Sequence, residues 1–128
     1  MQPPRKINYH RQSKRLDLEF EDLSCSLPAE LLRVYSPSAE VRGHSSEERK
    51  LQTGKKHVAI TGIEPVGNYA IRLTFDDGHD SGIYAWEYLR DLDSNQAQYF
   101  EAYLAELKAA NASRLPTIPV GHFTPRKD

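Results

Sequence analysis

Val66-Gly67-Asn68-Tyr69-Ala70-Ile71-Arg72-Leu73-Thr74-Phe75-Asp76-Asp77-Gly78-His79 is the stretch on which the fold turns. Gly67-Asn68 is a two-residue turn signal, because both residue types accept the positive φ of primed hairpin turns. Beyond it, Ala70 to Phe75 has the apolar, β-branched and aromatic content of a strand. Before it, Val58, Ile60 and Ile63 open the partner strand, which runs into Glu64-Pro65-Val66. Asp76-Asp77-Gly78 is a second turn, so His79 to Tyr84 is expected to return as the third strand of an antiparallel meander.

Outward from this meander, toward the N-terminus, Ile7 and Tyr9 and then Leu16, Leu18 and Phe20 alternate with polar neighbours, the period of half-buried strands. They predict a hairpin around Gln12-Ser13-Lys14. Ser26 before Leu27-Pro28, with Glu30 following, predicts a short helix from Pro28 to Val34, with proline tolerated in its first turn. Toward the C-terminus, Trp86 to Arg90 reads as a short helix. Asp93 is placed to cap the next one, with Gln96 at the capping-box position. The stripe Tyr99, Phe100, Tyr103, Leu104 and Leu107 then gives that helix one face to lay on the sheet. Asn111 suits the left-handed residue that ends a helix, and Pro116 and Pro119 prevent its resumption.

The expected fold class is therefore α+β: an antiparallel sheet of about five or six strands with a short helix and a longer C-terminal helix packed on one face. Residues 1–5 form a flexible lead-in, 6–114 a single domain with a long loop at 36–56, and 115–128 a C-terminal tail. In the loop, Val41 and Leu51 are the large apolar residues, which predicts more motion there than in the sheet. Trp86, the single tryptophan, is expected to close the core against Phe100 and Tyr103 instead of forming an exposed platform.

At 128 residues there is room for one compact domain and none for a second catalytic one. The 17 Lys and Arg against 18 Asp and Glu give a formal net charge of −1, which provides no global positive field for nucleic acid or anionic membrane. No apolar run approaches the roughly 20 residues that a membrane-spanning helix needs. The single Cys25 excludes an internal disulfide, and no secretion signal opens the chain, so the expected compartment is the cytoplasm. Cys25 stands between Leu23 and Leu27, where a cysteine behaves as a small buried hydrophobe.

Three blocks then stand out: Leu32-Arg33 followed by Ser36-Pro37-Ser38-Ala39-Glu40-Val41-Arg42-Gly43-His44; Gly62-Ile63-Glu64-Pro65-Val66-Gly67-Asn68-Tyr69-Ala70; and Asp77-Gly78-His79 through Leu89-Arg90. Together they make the chain, from about Ile7 to Leu107, resemble the gamma-butyrobetaine hydroxylase-like N-terminal domain family, in the form of a stand-alone bacterial member. The resemblance implies a small module that occurs alone and is also fused to some 2-oxoglutarate dioxygenases. In those enzymes three cysteines after a Leu-Arg pair and one histidine in the later turn hold zinc. Carried over, the cysteine positions fall at Ser36, Ser38 and Val41, and the histidine position is His79. Hydroxyls and valine do not replace thiolates, so no cofactor is expected and the zinc is expected to be lost.

Dioxygenase activity is not expected either. The iron triad of such enzymes requires His-x-Asp or His-x-Glu, and residues two beyond the histidines are Gln12, Ser46, Ala59, Ser81 and Thr124. The catalytic barrel is absent as well. No Gly-x-Ser-x-Gly elbow offers a serine nucleophile, and Gly54-Lys55-Lys56 lacks the flanking residues of a phosphate loop. His79 with Asp77, and with Asp76 and Asp80 close by, is the remaining metal-ligand candidate, although Asp-Asp-Gly is also ordinary turn chemistry.

Arg33, Arg42, His44 and His79 are the candidate binding-surface residues; with Arg49, Lys50, Lys55 and Lys56 the 36–56 segment could hold an anionic ligand or acidic partner. The expected function is a non-catalytic binding or adaptor module, an accessory to iron–sulfur cluster assembly or to a partner enzyme. The iron–sulfur element of that expectation comes from the resemblance, since versions of the family are fused to P-loop ATPases of cluster delivery. The alternative is a divergent metal-binding protein using His79 with nearby carboxylates. The expected partner is a protein, with no nucleic acid and no membrane, and the chain is expected to be a monomer.

Overall fold

The structure is a computed structural model and describes residues 1–43 and 49–116. Six strands and four helices follow one another along these residues. Strands β1 (Lys6–His10), β2 (Arg15–Glu19) and β3 (Ser24–Pro28) make one antiparallel sheet in the order β1-β2-β3. Helices α1 (Ala29–Val34) and α2 (Ala39–Arg42) come next, and β4 (Ile60–Val66), β5 (Ala70–Phe75) and β6 (Gly82–Ala85) make a second antiparallel sheet in the order β4-β5-β6. Helices α3 (Trp86–Ser94) and α4 (Gln96–Ala109) complete the fold. The α+β class holds; the single sheet of five or six strands is corrected to two sheets of three.

The first hairpin has the register that its alternation requires, Ile7 opposite Leu18 and Tyr9 opposite Leu16, with Leu16 and Leu18 fully buried. Its third strand, β3, occupies the segment whose end was expected to begin a helix. Cys25 and Leu27 alternate inward there, opposite Leu18 and Leu16, and burial on one face of the strand decides the conformation. Pro28 is accordingly the last strand residue and the extended N-cap of α1, and does not lie inside the helix's first turn. Cys25 is buried as expected, and burial together with the nearby Asp93 pushes its thiol up to about 11.

The outer edge of β3 shows why the sheet stops at three strands. The Ser26 backbone N–H donates to Asp93 Oδ1 at 3.0 Å, while the Ser26 carbonyl accepts from Gln96 Nε2 at 2.9 Å and Arg15 Nη2 at 2.8 Å. Side chains thus satisfy the polar groups that another strand would otherwise pair, as protected edges require. Asp93 and Gln96 are therefore engaged on the sheet and not in a capping box. Asp93 lies within α3, which runs four residues beyond its expected end at Arg90, and the N-cap of α4 is Asn95, without a side-chain cap bond.

In the second sheet Ile71, Leu73 and Phe75 point inward while Arg72 pairs with Glu64 on the outer face. The loop between β4 and β5 has three residues, 67–69, with Gly67 at φ 54°, instead of the expected two-residue turn. The next connection, residues 76–81, is longer than the expected three-residue turn, and β6 begins only at Gly82. The Phe75 N–H bonds the His79 carbonyl and the Gly78 N–H bonds the Phe75 carbonyl, which holds His79 in the turn and out of the strand.

One core joins both sheets and the helices, from Leu16, Leu18 and Leu27 through Leu31 and Leu32 to Ile71, Leu73, Phe75, Leu89, Leu92 and Tyr103. Helix α4 packs chiefly on α1 and α3, and α3 in turn lies against β3, so the long helix meets the sheets mainly through other helices. Of its expected stripe, Tyr103 and Leu107 are buried, Tyr99 and Phe100 half-buried, and Leu104 exposed. Asn111 takes φ 53° at the end of α4, as its residue type indicated. Trp86 is 4 % exposed, but its aromatic neighbour is Phe20, edge-on at 6.4 Å between ring centroids, in place of Phe100 and Tyr103, which pair with each other.

The segment from Ser36 to Lys56 is not uniformly loop. Ser36, Ser38 and Val41 are buried, α2 forms within it, and the Lys50 N–H bonds the Val41 carbonyl. Gly54 and Lys56 are tied by their backbone N–H groups to the carbonyls of Ser113 and Arg114. No helix among the described residues is long and apolar enough to cross a membrane.

Candidate functional site

Two short structures meet at the buried corner where most of the candidate residues converge. The first is the exit from α1. Tyr35 and Ser36 bond back to the carbonyls of Leu31 and Arg33, the chain then extends through Ser38, and α2 starts at once with Val41 and Arg42 donating to the Ser38 carbonyl. Gly43, at φ 69°, ends that single turn. The second is the Asp76–His79 turn, in which Asp77 Oδ1 accepts the His79 N–H at 3.1 Å and Gly78 takes φ 91°. Such an aspartate-to-backbone bond is the local device by which Asp-x-x turns close.

The turn points the His79 ring inward, leaving the residue 8 % exposed. Its Nε2 lies 2.8 Å from Ser36 Oγ and 3.4 Å from Ser38 Oγ, and the Ser38 N–H donates to Ser36 Oγ at 3.3 Å. Glu40, a residue that the sequence alone did not single out, places Oε2 3.5 Å from Nδ1. An imidazole protonated on Nδ1 faces that carboxylate and leaves Nε2 to accept from the Ser36 hydroxyl. Gly82 closes the corner: a Cβ there would stand 2.5 Å from Ser36 Oγ.

Hydroxyl, imidazole and carboxylate therefore lie in line, the order found in serine nucleophile triads. The environment differs. Ser36 is 2 % exposed and already receives the Ser38 N–H, and the Glu40 contact is longer than a good hydrogen bond. The cluster is a clasp joining the α1–α2 connection to the β5–β6 turn.

The zinc-ligand positions carried over from the family resemblance coincide with this clasp. Ser36, Ser38 and His79 are within hydrogen-bond reach of one another, and Val41 is buried on α2. Two neutral hydroxyls, one imidazole already hydrogen-bonded and an apolar side chain do not fit zinc, which takes thiolate, imidazole or carboxylate ligands. Among the described residues, no group of three or more His, Cys, Asp or Glu is placed to hold a metal ion.

Beside the clasp, Asp77 Oδ2 accepts from Arg33 Nε at 2.8 Å and from Lys55 Nζ at 2.6 Å. Burial works to raise the Asp77 carboxyl, but the bonds from Lys55, the His79 backbone and Arg33 outweigh it and hold it at about 2. Arg33 itself is buried, and its Nη1 has no hydrogen-bond partner among the described residues. Of the other candidates, Arg42 is exposed on α2 with its guanidinium over the Tyr88 ring at 5.9 Å, and His44 lies outside the described residues. Surface grooves of about 590 Å³ along β4, lined by Tyr9, Arg11 and residues 60–63, and of about 430 Å³ beside His10, Asp17, Cys25 and Asp93 contain no residue of the clasp.

Burial, followed by the Arg33 charge, lowers the His79 pKa, against the smaller raising effects of Glu40, Asp77 and Asp80. The folded state thus favours the neutral ring more than the unfolded chain does. The stabilisation is complete above about pH 6.5, the ordinary histidine value, and is lost as pH falls from there toward the lower folded value. The expected result is a urea midpoint that declines below about pH 6.5 in the wild type and declines less in His79→Gln; parallel profiles for the two proteins would remove His79 as the cause.

Residues 7–90 match the family model described as "Gamma-butyrobetaine hydroxylase-like, N-terminal". A solution NMR structure is similar to this chain at 47% identity and a TM-score of 0.79, covering 98% of this chain and 99% of that one. Another gives 47% identity and a TM-score of 0.78, with coverage of 98% and 95%. The crystal structure of a protein of unknown function in the DUF971 family, from Acidithiobacillus ferrooxidans ATCC 23270, is 38% identical with a TM-score of 0.60, covering 70% of this chain and 91% of that one. Among curated proteins nothing matches the chain.

Proposed function

The chain belongs to the gamma-butyrobetaine hydroxylase-like N-terminal family, and from that premise we propose that it is a non-catalytic binding module serving a protein partner. The observation that carries the reading is the closed state of the His79 corner. The hydroxyl and imidazole that would do chemistry are committed to each other beneath the surface, Ser36 at 2 % and His79 at 8 % exposure. A reaction centre needs its nucleophile or base within reach of a substrate, and this one is sealed. The clasp fixes the α1–α2 connection to the β5–β6 turn, and so gives Arg42, and Lys55 with Arg33 buried behind it on Asp77, a rigid base.

The setting of that module is an accessory role toward iron–sulfur cluster assembly or toward a partner enzyme, in line with the family resemblance. The single Cys25 cannot furnish the thiolates of a cluster, so any cluster would be held by the partner. The module acts without zinc, in the cytoplasm, and as a monomer.

Two measurements test this reading. The untagged protein, analysed for metals after purification, is expected to carry no stoichiometric zinc; a one-to-one content that survives mild chelation would contradict the clasp as a replacement for the metal. Expressed at its natural level, the chain is expected to co-purify reciprocally with one protein. Turnover of a small substrate by the isolated chain would overturn the non-catalytic assignment.

A further inference from the structure

Arg33 carries the unexplained group of this fold. Its side chain is 9 % exposed and its Nε is fixed on Asp77, yet Nη1 is buried without a partner among the described residues. A buried donor left unpaired is costly, the more so when it belongs to a charged group, so the position calls for an acceptor. Lys55 and Asp77, with side chains 20 % and 22 % exposed, bring the same cluster to the surface.

We propose that Arg33 and Lys55, positioned by Asp77, form a binding site for a carboxylate group presented by a ligand. The charges select the ligand class. Arg33 and Lys55 contribute two positive charges and the firmly ionised Asp77 one negative, a local excess of one that a carboxylate neutralises. A dianionic phosphate would overshoot that local excess. The guanidinium is anchored at Nε by Asp77, and its buried Nη1 comes within reach of a planar acceptor only when the Lys55 side chain swings aside, giving the planar pairing in which arginine recognises carboxylates. The incoming group takes the Arg33 Nη1 donor and shares Lys55 Nζ with Asp77. Lys55, on a flexible four-carbon stem, is the side chain that moves to admit it.

This site rests on the binding-module reading and gives it a recognition chemistry: the acidic side chain or C-terminus of a partner, or a small organic acid. The test is an NMR titration of the full chain at constant ionic strength with sodium acetate, with a blocked single-glutamate peptide and with inorganic phosphate. It follows the Arg33 Nε–H signal and the Lys55 and His79 amides. Acetate and the peptide should shift these signals saturably, with phosphate roughly tenfold weaker or absent. Tighter binding of the peptide assigns the site to a protein partner, and tighter acetate to a small acid. Lys55→Gln, at a partly exposed position, keeps the fold and should weaken carboxylate binding at least fivefold; Arg33→Lys should abolish it. No saturable shift, phosphate binding as tight as acetate, or a Lys55→Gln protein that binds unchanged would each overturn the proposal. Those outcomes leave a co-purifying protein partner untouched, whereas absence of any such partner removes the module reading while a carboxylate site seen by titration stands.

Discussion

Trp86→Ala should lower the unfolding free energy by about 3–5 kcal/mol, the range of large aromatic truncations in cores. The ring is 4 % exposed, stands edge-on to Phe20, and donates its indole N–H to the Asn68 carbonyl at 2.8 Å. Its backbone N–H also bonds the Tyr69 carbonyl, so α3 starts directly on the β4–β5 loop. Truncation therefore opens a cavity and leaves a loop carbonyl without its donor, and the two costs act together. In a domain whose total stability is of order 5–15 kcal/mol, the melting temperature should fall by more than ~10 °C. Trp86→Phe keeps much of the volume but loses the N–H, and should recover more than half of the loss. A melting temperature that moves by less than about 3 °C in Trp86→Ala would show that the ring is dispensable to the core.

The second large effect is expected from Arg114→Met. Glu30 on α1 is 6 % exposed, and its carboxylate accepts from Arg114 Nε at 2.8 Å, Arg114 Nη2 at 2.7 Å and the Tyr103 hydroxyl at 2.9 Å. Removing the arginine strands a buried carboxylate on one neutral donor. Breaking buried pairs in this way costs roughly 3–5 kcal/mol; with the Arg114 side chain 32 % exposed, about 2–4 kcal/mol is the expected loss. Arg114→Lys keeps the charge without the two-pronged geometry and should fall between wild type and Met. Because the Lys56 N–H is bonded to the Arg114 carbonyl, exchange of the Lys56 amide should also quicken in Arg114→Met. A loss below about 1 kcal/mol would show that Glu30 finds other partners.

The expected corner residues separate according to what positions them. Asp77 and His79 lie in one turn, and their proximity was legible from Asp-Asp-Gly-His. Arg33 and Asp77 are 44 positions apart, and only the packing of α1 behind the second sheet brings Nε and Oδ2 to 2.8 Å. Lys55 belongs to a segment read as loop, and its place on Asp77 follows from the tie between residues 54–56 and 113–114 that no local pattern announces. Glu40 carried no signal beyond its presence in a resembling block, because one helical turn of four residues is too short for a periodicity. The Asp93 and Gln96 spacing was a sound capping signal that lost to the unpaired edge of β3, whose amide and carbonyl had greater need of those side chains.

By itself the sequence determined the elements whose causes are local or periodic: the alternating strands β1, β2 and β5, the turn at Gly78, the left-handed residue Asn111 that ends α4, and the inward choice of Trp86. These follow from steric limits on φ and from the burial of one face, which act over a few residues. The tertiary structure alone decided that there are two sheets of three strands, that α4 rests on helices, that Phe20 receives Trp86, and that Ser36, Ser38 and His79 close on one another. Those outcomes depend on which apolar faces meet and which buried polar groups find partners across the chain, and both become fixed only when distant segments are packed together.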